Sequence, residues 1–257
     1  MAEEIHRKTR PGAPAGFFDC EAAGLRWLGE ARATGGARVA RVLGVGPDEL
    51  LLERIRPAAP DRAAAAAFGA ALAATHDAGA AAFGAPPPGW SGPGFFGPLA
   101  DPRPLPLHPR ASFGEFYAAD RLAPALAALD GVYGPAERAV FDAVARRLLA
   151  GDFDDDDPPA RVHGDLWSGN LMWDRRGAVL IDPAAHGGHR ESDLAMLELF
   201  GAPHLDAILG GYREAHPLPP GRDRRVGLHQ LYPVLMHAVL FGGGYAGHAL
   251  RLARALI

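Results

Sequence analysis

Apolar residues recur along this 257-residue chain in two rhythms, and the change from one to the other divides it. Phe18, Ala22, Leu25 and Leu28 fall at helical spacing on a segment that also carries Glu21. Residues 3 to 8 suit a short strand ahead of that helix, with "PGAPAG" as the loop between. Two further strands are expected in "ARVARVLGVG" and "ELLLERI", around a Pro47-Asp48 turn, with Leu50 to Leu52 as a buried run. Three strands and one helix make a small unit of residues 1–56, and a second unit of residues 57–257 follows.

The second unit reads as mostly helical. "DRAAAAAFGAALAATHDAG" is a helix with Asp61 at its N-cap. Residues 84–110 are too rich in Pro and Gly for regular elements and are expected to form one long loop carrying Trp90, Phe95 and Phe96. "SFGEFYAADRLAPALAAL" and "PAERAVFDAVARRLLAG" are two helices, and the acidic "DFDDDD" after them reads as a solvated linker. Short strands in "RVHGD", "LMWD" and "AVLID" come next, joined by tight connections. From Glu191 onward the pattern is helical, broken chiefly at "HPLPPGR".

Composition narrows the function. A 48% hydrophobic chain can bury a core, and a net charge of −4 supplies no basic field for nucleic acid or an anionic membrane. Cys20 stands alone, no apolar run reaches the roughly 18 residues a membrane helix needs, and the first residues hold no signal core, so a cytoplasmic protein is expected. The 11 histidines are scattered, with no HExxH or Cys/His cluster to suggest a metal hydrolase. Of the 26 Lys and Arg residues, Lys8 is the only lysine. A lysine offers a compact ammonium where arginine offers a wide planar fork, so a site built for one rejects the other.

The chemistry concentrates in "HGDLWSGN", residues 163–170. Asp165 on a loop after a strand, Asn170 five positions on and Asp182 at the end of the next hairpin are the parts of a phosphoryl-transfer site. Such a site needs a group to orient the attacking hydroxyl, and hard oxygens to hold Mg²⁺ against the phosphates. The H-x-D-x-x-x-x-N spacing lets one carboxylate face the acceptor while the amide turns back toward the metal.

These residues, with "VLIDPAAHGGHRESDLAMLELFG" and the weaker "FFGPLADP" and "FGEFYAADRLAPAL", resemble the fructosamine kinases, also called ketosamine-3-kinases. That family lies in the aminoglycoside-phosphotransferase-like branch of the protein-kinase fold. The resemblance implies an α+β, two-lobed kinase-like fold with a small β-sheet lobe and a larger α-helical lobe. It makes Asp165 the catalytic base and gives Mg²⁺ to Asn170 and Asp182. Lys8 would contact the ATP phosphates, Glu21 would pair with Lys8, and the backbone from Glu53 to Ile55 would meet the adenine. Trp167 would flank the acceptor pocket, while His189, Arg190, Glu191 and Asp193 would form an ion-pair and capping network.

Relatives of this kind begin with two strands and a glycine-containing loop ahead of the strand lysine, and here that lysine is residue 8. The small lobe is therefore expected to be truncated, with the true start upstream of Met1. The implied activity is ATP-dependent phosphorylation of a free or protein-bound ketosamine. Two alternatives remain: a kinase for an aminoglycoside or other amino sugar, and a shortened, non-catalytic nucleotide-binding homologue.

Overall fold

A computed structural model describes residues 5–257. Strands β1 (Ile5–Thr9), β2 (Val42–Gly46) and β3 (Glu49–Glu53) form an antiparallel sheet in the order β1-β3-β2, with Lys8 opposite Leu50. The two leading positions of the strand expected over residues 3 to 8 lie outside the described residues. Helix α1 (Phe17–Glu30) packs on this sheet through Phe18, Leu25 and Ala22, the periodic residues of the sequence. Leu50 and Leu52 are buried and Leu51 is only half-buried, so the expected buried run is an alternating strand with one face on the core.

The sheet is stitched to the rest of the chain along one edge. Val39 forms a parallel bridge with Leu180, the Ala40 N–H donates to the Leu180 carbonyl at 2.9 Å, and the Leu180 N–H donates to the Arg38 carbonyl at 2.9 Å. Arg38 adds a two-bond ion pair to Asp174, at 2.8 and 2.9 Å.

In the larger lobe, α2 (Arg62–Asp77) starts as expected, the Asp61 carboxylate accepting the Ala64 N–H at 2.7 Å. The expected 84–110 loop contains a hairpin, β4 (Gly94–Phe96) against β5 (Arg103–Leu105). Its Pro104 sits opposite Phe95 at a two-stranded edge, where a missing N–H is tolerated. The next helix runs from α3 (Phe113–Phe116) through a π-helical turn, Tyr117–Leu122, into α4 (Ala123–Ala128), and α5 (Pro135–Leu149) follows.

Four short strands carry the catalytic candidates: β6 (Ala160–Val162), β7 (Leu171–Asp174), β8 (Gly177–Leu180) and β9 (His186–Gly188). β7 pairs with β8 as a hairpin, and β6 pairs with β9, a strand the sequence pattern does not announce. Helices α6 (Arg190–Phe200), α7 (Leu205–Ala215), α8 (Arg222–Phe241) and α9 (Tyr245–Ala255) complete the lobe. α2 and α7 approach closely through glycine: a Cβ on Gly69 would sit 1.9 Å from the Ile208 carbonyl oxygen.

Part of the acidic run is not a solvated linker. Asp155 and Asp157 each expose only 8% of their side chains. Asp155 meets His189 at 3.0 Å and Arg225 at 2.8 Å, and Asp157 meets Arg190 at 2.8 Å. Cationic partners distant in sequence turn a run that would otherwise repel itself into a buried clamp.

Candidate active site

The β6 strand delivers the chain into the loop His163–Asn170, and α6 pins that loop from below. The buried Asp193 carboxylate accepts the His163 N–H at 2.7 Å on one oxygen and the Gly164 N–H at 2.9 Å on the other. His76 Nε2 meets the same Asp193 oxygen as the His163 N–H, at 3.1 Å. His163 Nε2 lies 2.9 Å from the Ile181 carbonyl, which can only accept; Nε2 therefore carries the proton and Nδ1 receives the Asp165 N–H at 3.3 Å. Burial lowers the His163 pKa, in keeping with a neutral ring. Gly164 adopts φ +81°, and a Cβ there would lie 2.2 Å from the Ala184 carbonyl oxygen, so only glycine fits.

Asp165 and Asn170 face each other across the loop. Asn170 Nδ2 donates to the Asp165 carbonyl at 2.8 Å and to its carboxylate at 3.0 Å. Burial pushes the Asp165 carboxyl up to about 7, with the Asn170 bond pulling against it and the nearby Asp182 charge adding to the rise. Asp182 follows β8 in a left-handed conformation, φ +52°, rare for a residue with a side chain. Its carboxylate reaches Lys8 at 3.2 Å.

Lys8 is therefore held by two acids from two different elements. Its ammonium donates to both oxygens of Glu21 on α1, at 3.0 and 2.7 Å. Burial opposes the charged form, but Glu21 and Asp182 outweigh it and raise the lysine's pKa. Burial also lifts Glu21 to about 7, against the attraction of Lys8.

Lys8, Glu21, Asp165, Trp167, Asn170 and Asp182 line one cavity of about 340 Å³. Its outer wall is apolar and aromatic, including Phe95, Phe96, Leu240 and Phe241. Trp167 is 42% exposed at the mouth, so it is not a core tryptophan. Glu53 and Ile55 line an adjoining cleft of about 650 Å³ that shares Lys8 and Asp182 with the first. The Glu53 N–H is already given to the Arg41 carbonyl. All eight residues singled out in the sequence thus meet in two connected hollows. Phe95 and Phe96, from the weaker "FFGPLADP" segment, join them with Leu240 and Phe241, which lie in none of the quoted motifs.

The sequence profile of the fructosamine kinase family matches residues 3–257. The chain belongs to this family. The kinase is 34% identical over 244 residues to a protein from Thermus thermophilus named a probable ketoamine kinase, covering 93% of this chain and 82% of that one. A ketosamine-3-kinase of Mus musculus is 34% identical over 143 residues, 55% of this chain and 46% of the mouse protein. A crystal structure assigned as a fructosamine-3-kinase from Thermobifida fusca superposes with a TM-score of 0.87 at 44% identity, covering 98% of this chain and 85% of that one. An ADP-bound aminoglycoside phosphotransferase shares the kinase-like fold at a TM-score of 0.60 and 12% identity, covering all of this chain and 89% of its own.

His189, Arg190, Glu191 and Asp193 lie at the start of α6 in this kinase. His189 caps the helix by accepting the Glu191 N–H at 3.2 Å. Arg225 donates to both Glu191 oxygens, at 3.1 and 2.6 Å, so Glu191, which lies close to His189 and His229, already holds a cation.

Proposed function

We propose that this chain transfers the γ-phosphoryl group of ATP to a hydroxyl of a ketosamine, the 3-hydroxyl of a fructosamine foremost. The observation that carries the reading is the convergence of Asp165, Asn170, Asp182, Lys8 and Glu21 on one cavity with an aromatic mouth. Asp165 would orient the acceptor hydroxyl and take its proton, a task suited to a carboxylate raised toward neutrality. Glu21 would hold the Lys8 ammonium where phosphate oxygens arrive, with Ile55 and the Glu53 carbonyl at the adenine edge.

The remaining donors fit Mg²⁺. Asn170 spends its amide nitrogen within the loop and keeps its oxygen, while the Asp182 side chain is 41% exposed and gives only one oxygen to Lys8. Both are hard oxygen ligands, and Mg²⁺ held by them would offset charge on the phosphates.

The walls favour a ketosamine over an aminoglycoside. The acids lining the cavity are Glu21, Asp165 and Asp182, each already assigned to the phosphoryl-transfer machinery. A polycationic acceptor would need further carboxylates, whereas the apolar faces of Trp167 and Phe241 suit a sugar and its amine-linked substituent. The acceptor would be free or protein-bound, and the unpaired Cys20 accords with a reducing, cytoplasmic setting.

The test is ATP consumption with fructose-lysine and Mg²⁺, with the product's phosphorylated carbon located by NMR. Asp165→Asn should lower kcat by about 10²–10⁴ with little change in nucleotide affinity. Full turnover by that variant would remove Asp165 from its role. Thermal stabilisation by ATP without product from any ketosamine or amino sugar would replace the reading with a non-catalytic nucleotide-binding one.

A further inference from the structure

A second concavity, of about 520 Å³, lies between α1, residues 38–42 and Arg176. Five arginines line it, Arg26, Arg32, Arg38, Arg41 and Arg176, against one acid, Glu53. Asp174 nearby is already taken, bonding Arg38 through both oxygens and reaching Arg176 at 3.4 Å. Arg32 gives one bond to a neutral acceptor, the Gly36 carbonyl, at 3.2 Å. Arg26 has no ion-pair partner among the described residues.

Five arginines thus face two acids, Glu53 and Asp174, which leaves an excess of positive charge on a chain whose net charge is −4. Like charges gathered in a concavity repel one another and focus a field that draws an anion in. Guanidinium forks match phosphate oxygens two at a time, and the hollow's floor is apolar, from Leu25, Val39, Ala40 and Val42. The volume lies in the range of small-molecule sites. The hollow shares Ala40 and Glu53 with the nucleotide cleft and contains none of Lys8, Asp165, Asn170 or Asp182.

We infer that this hollow is a binding site for a small molecule bearing a diphosphate, separate from the phosphoryl-transfer site. Arg26 and Arg32, which hold no carboxylate, supply the hydrogen bonds to phosphate oxygens, and Arg38 and Arg176, which share the single Asp174 carboxylate, add positive field. α1, which carries Glu21, forms a wall of both sites.

Inorganic pyrophosphate is the probe, titrated calorimetrically into the full chain in EDTA so that no divalent metal recruits it to Asn170 and Asp182. Wild type and Lys8→Met should bind it equally, while Arg26→Ala/Arg32→Ala should bind at least about tenfold more weakly, given the strength of charged hydrogen bonds. Both replaced side chains are exposed, so the thermal midpoint should be unchanged. Three results overturn the inference: no binding by wild type, binding lost in Lys8→Met, or binding within twofold of wild type in the double variant.

Discussion

Asp193→Ala is the sharpest test of how the catalytic loop is held. The carboxylate is 1% exposed and takes three hydrogen bonds: from the His163 N–H at 2.7 Å, the Gly164 N–H at 2.9 Å and the His76 ring at 3.1 Å. Truncation leaves three buried donors without an acceptor. Hydrogen bonds to a charged group are worth about 1.5–3 kcal/mol each, so the sum is about 4.5–9 kcal/mol before relaxation and water entry reduce it. A loss of at least about 3 kcal/mol is expected, a large share of the roughly 5–15 kcal/mol by which a folded protein is stable. Asp193→Asn keeps the shape and one good acceptor but turns an N–H toward a donor, so it should fall between wild type and alanine. Urea unfolding at neutral pH measures the loss. Turnover by the asparagine variant reads the loop itself, and kcat should fall more than KM changes, because Asp165 directly follows the two pinned residues. A loss below about 1 kcal/mol in Asp193→Ala would refute the claim that this one carboxylate organises the loop.

Three further outcomes follow from the same geometry. Gly164→Ala should cost more than the roughly 1–2 kcal/mol of a left-handed backbone alone, because its Cβ would also overlap the Ala184 carbonyl; differential scanning calorimetry measures it. Glu21→Gln should raise the KM for ATP several-fold, measured by steady-state kinetics, since Lys8 keeps only Asp182 as an ionic partner. Burial works against the Glu191 carboxylate, but the nearby His229 and the Arg225 guanidinium, bonded to both its oxygens, hold its pKa at about 2, below the ordinary glutamate value near 4.5. Its stabilising contribution is therefore present above about pH 4.5 and lost as pH falls toward 2, and urea titrations across that window should show a shallower acid loss in Glu191→Gln.

Much of this fold is legible locally. Phe18, Ala22, Leu25 and Leu28 keep helical time and are all buried, and Asp61 caps α2 as its side chain dictates. The catalytic loop is legible because its chemistry requires fixed spacing between Asp165 and Asn170. What escapes is what depends on distant partners. Asp155 and Asp157 look like solvated charges until His189, Arg190 and Arg225 arrive from 33 or more residues away. β9 is a His-Gly-Gly segment with no strand preference, made a strand by its pairing with β6. The β4–β5 hairpin hides among prolines because its strands have three residues each. The aromatic rim is half announced: Phe95 opens the weak "FFGPLADP" segment, while Phe241 joins it and Trp167 around the cavity only through the fold.

The seam at Arg38, Val39 and Leu180 binds the two lobes along one edge, as pages are bound at a spine. The Arg38–Asp174 pair reinforces that line with an ion pair. Lys8 and Asp182 sit on facing pages, bridged at 3.2 Å, so their separation is the gauge of how far the cleft is open. A ligand that enters between them would spread this contact while leaving the seam, and the packing of α1 on Phe95 and Ala185, in place.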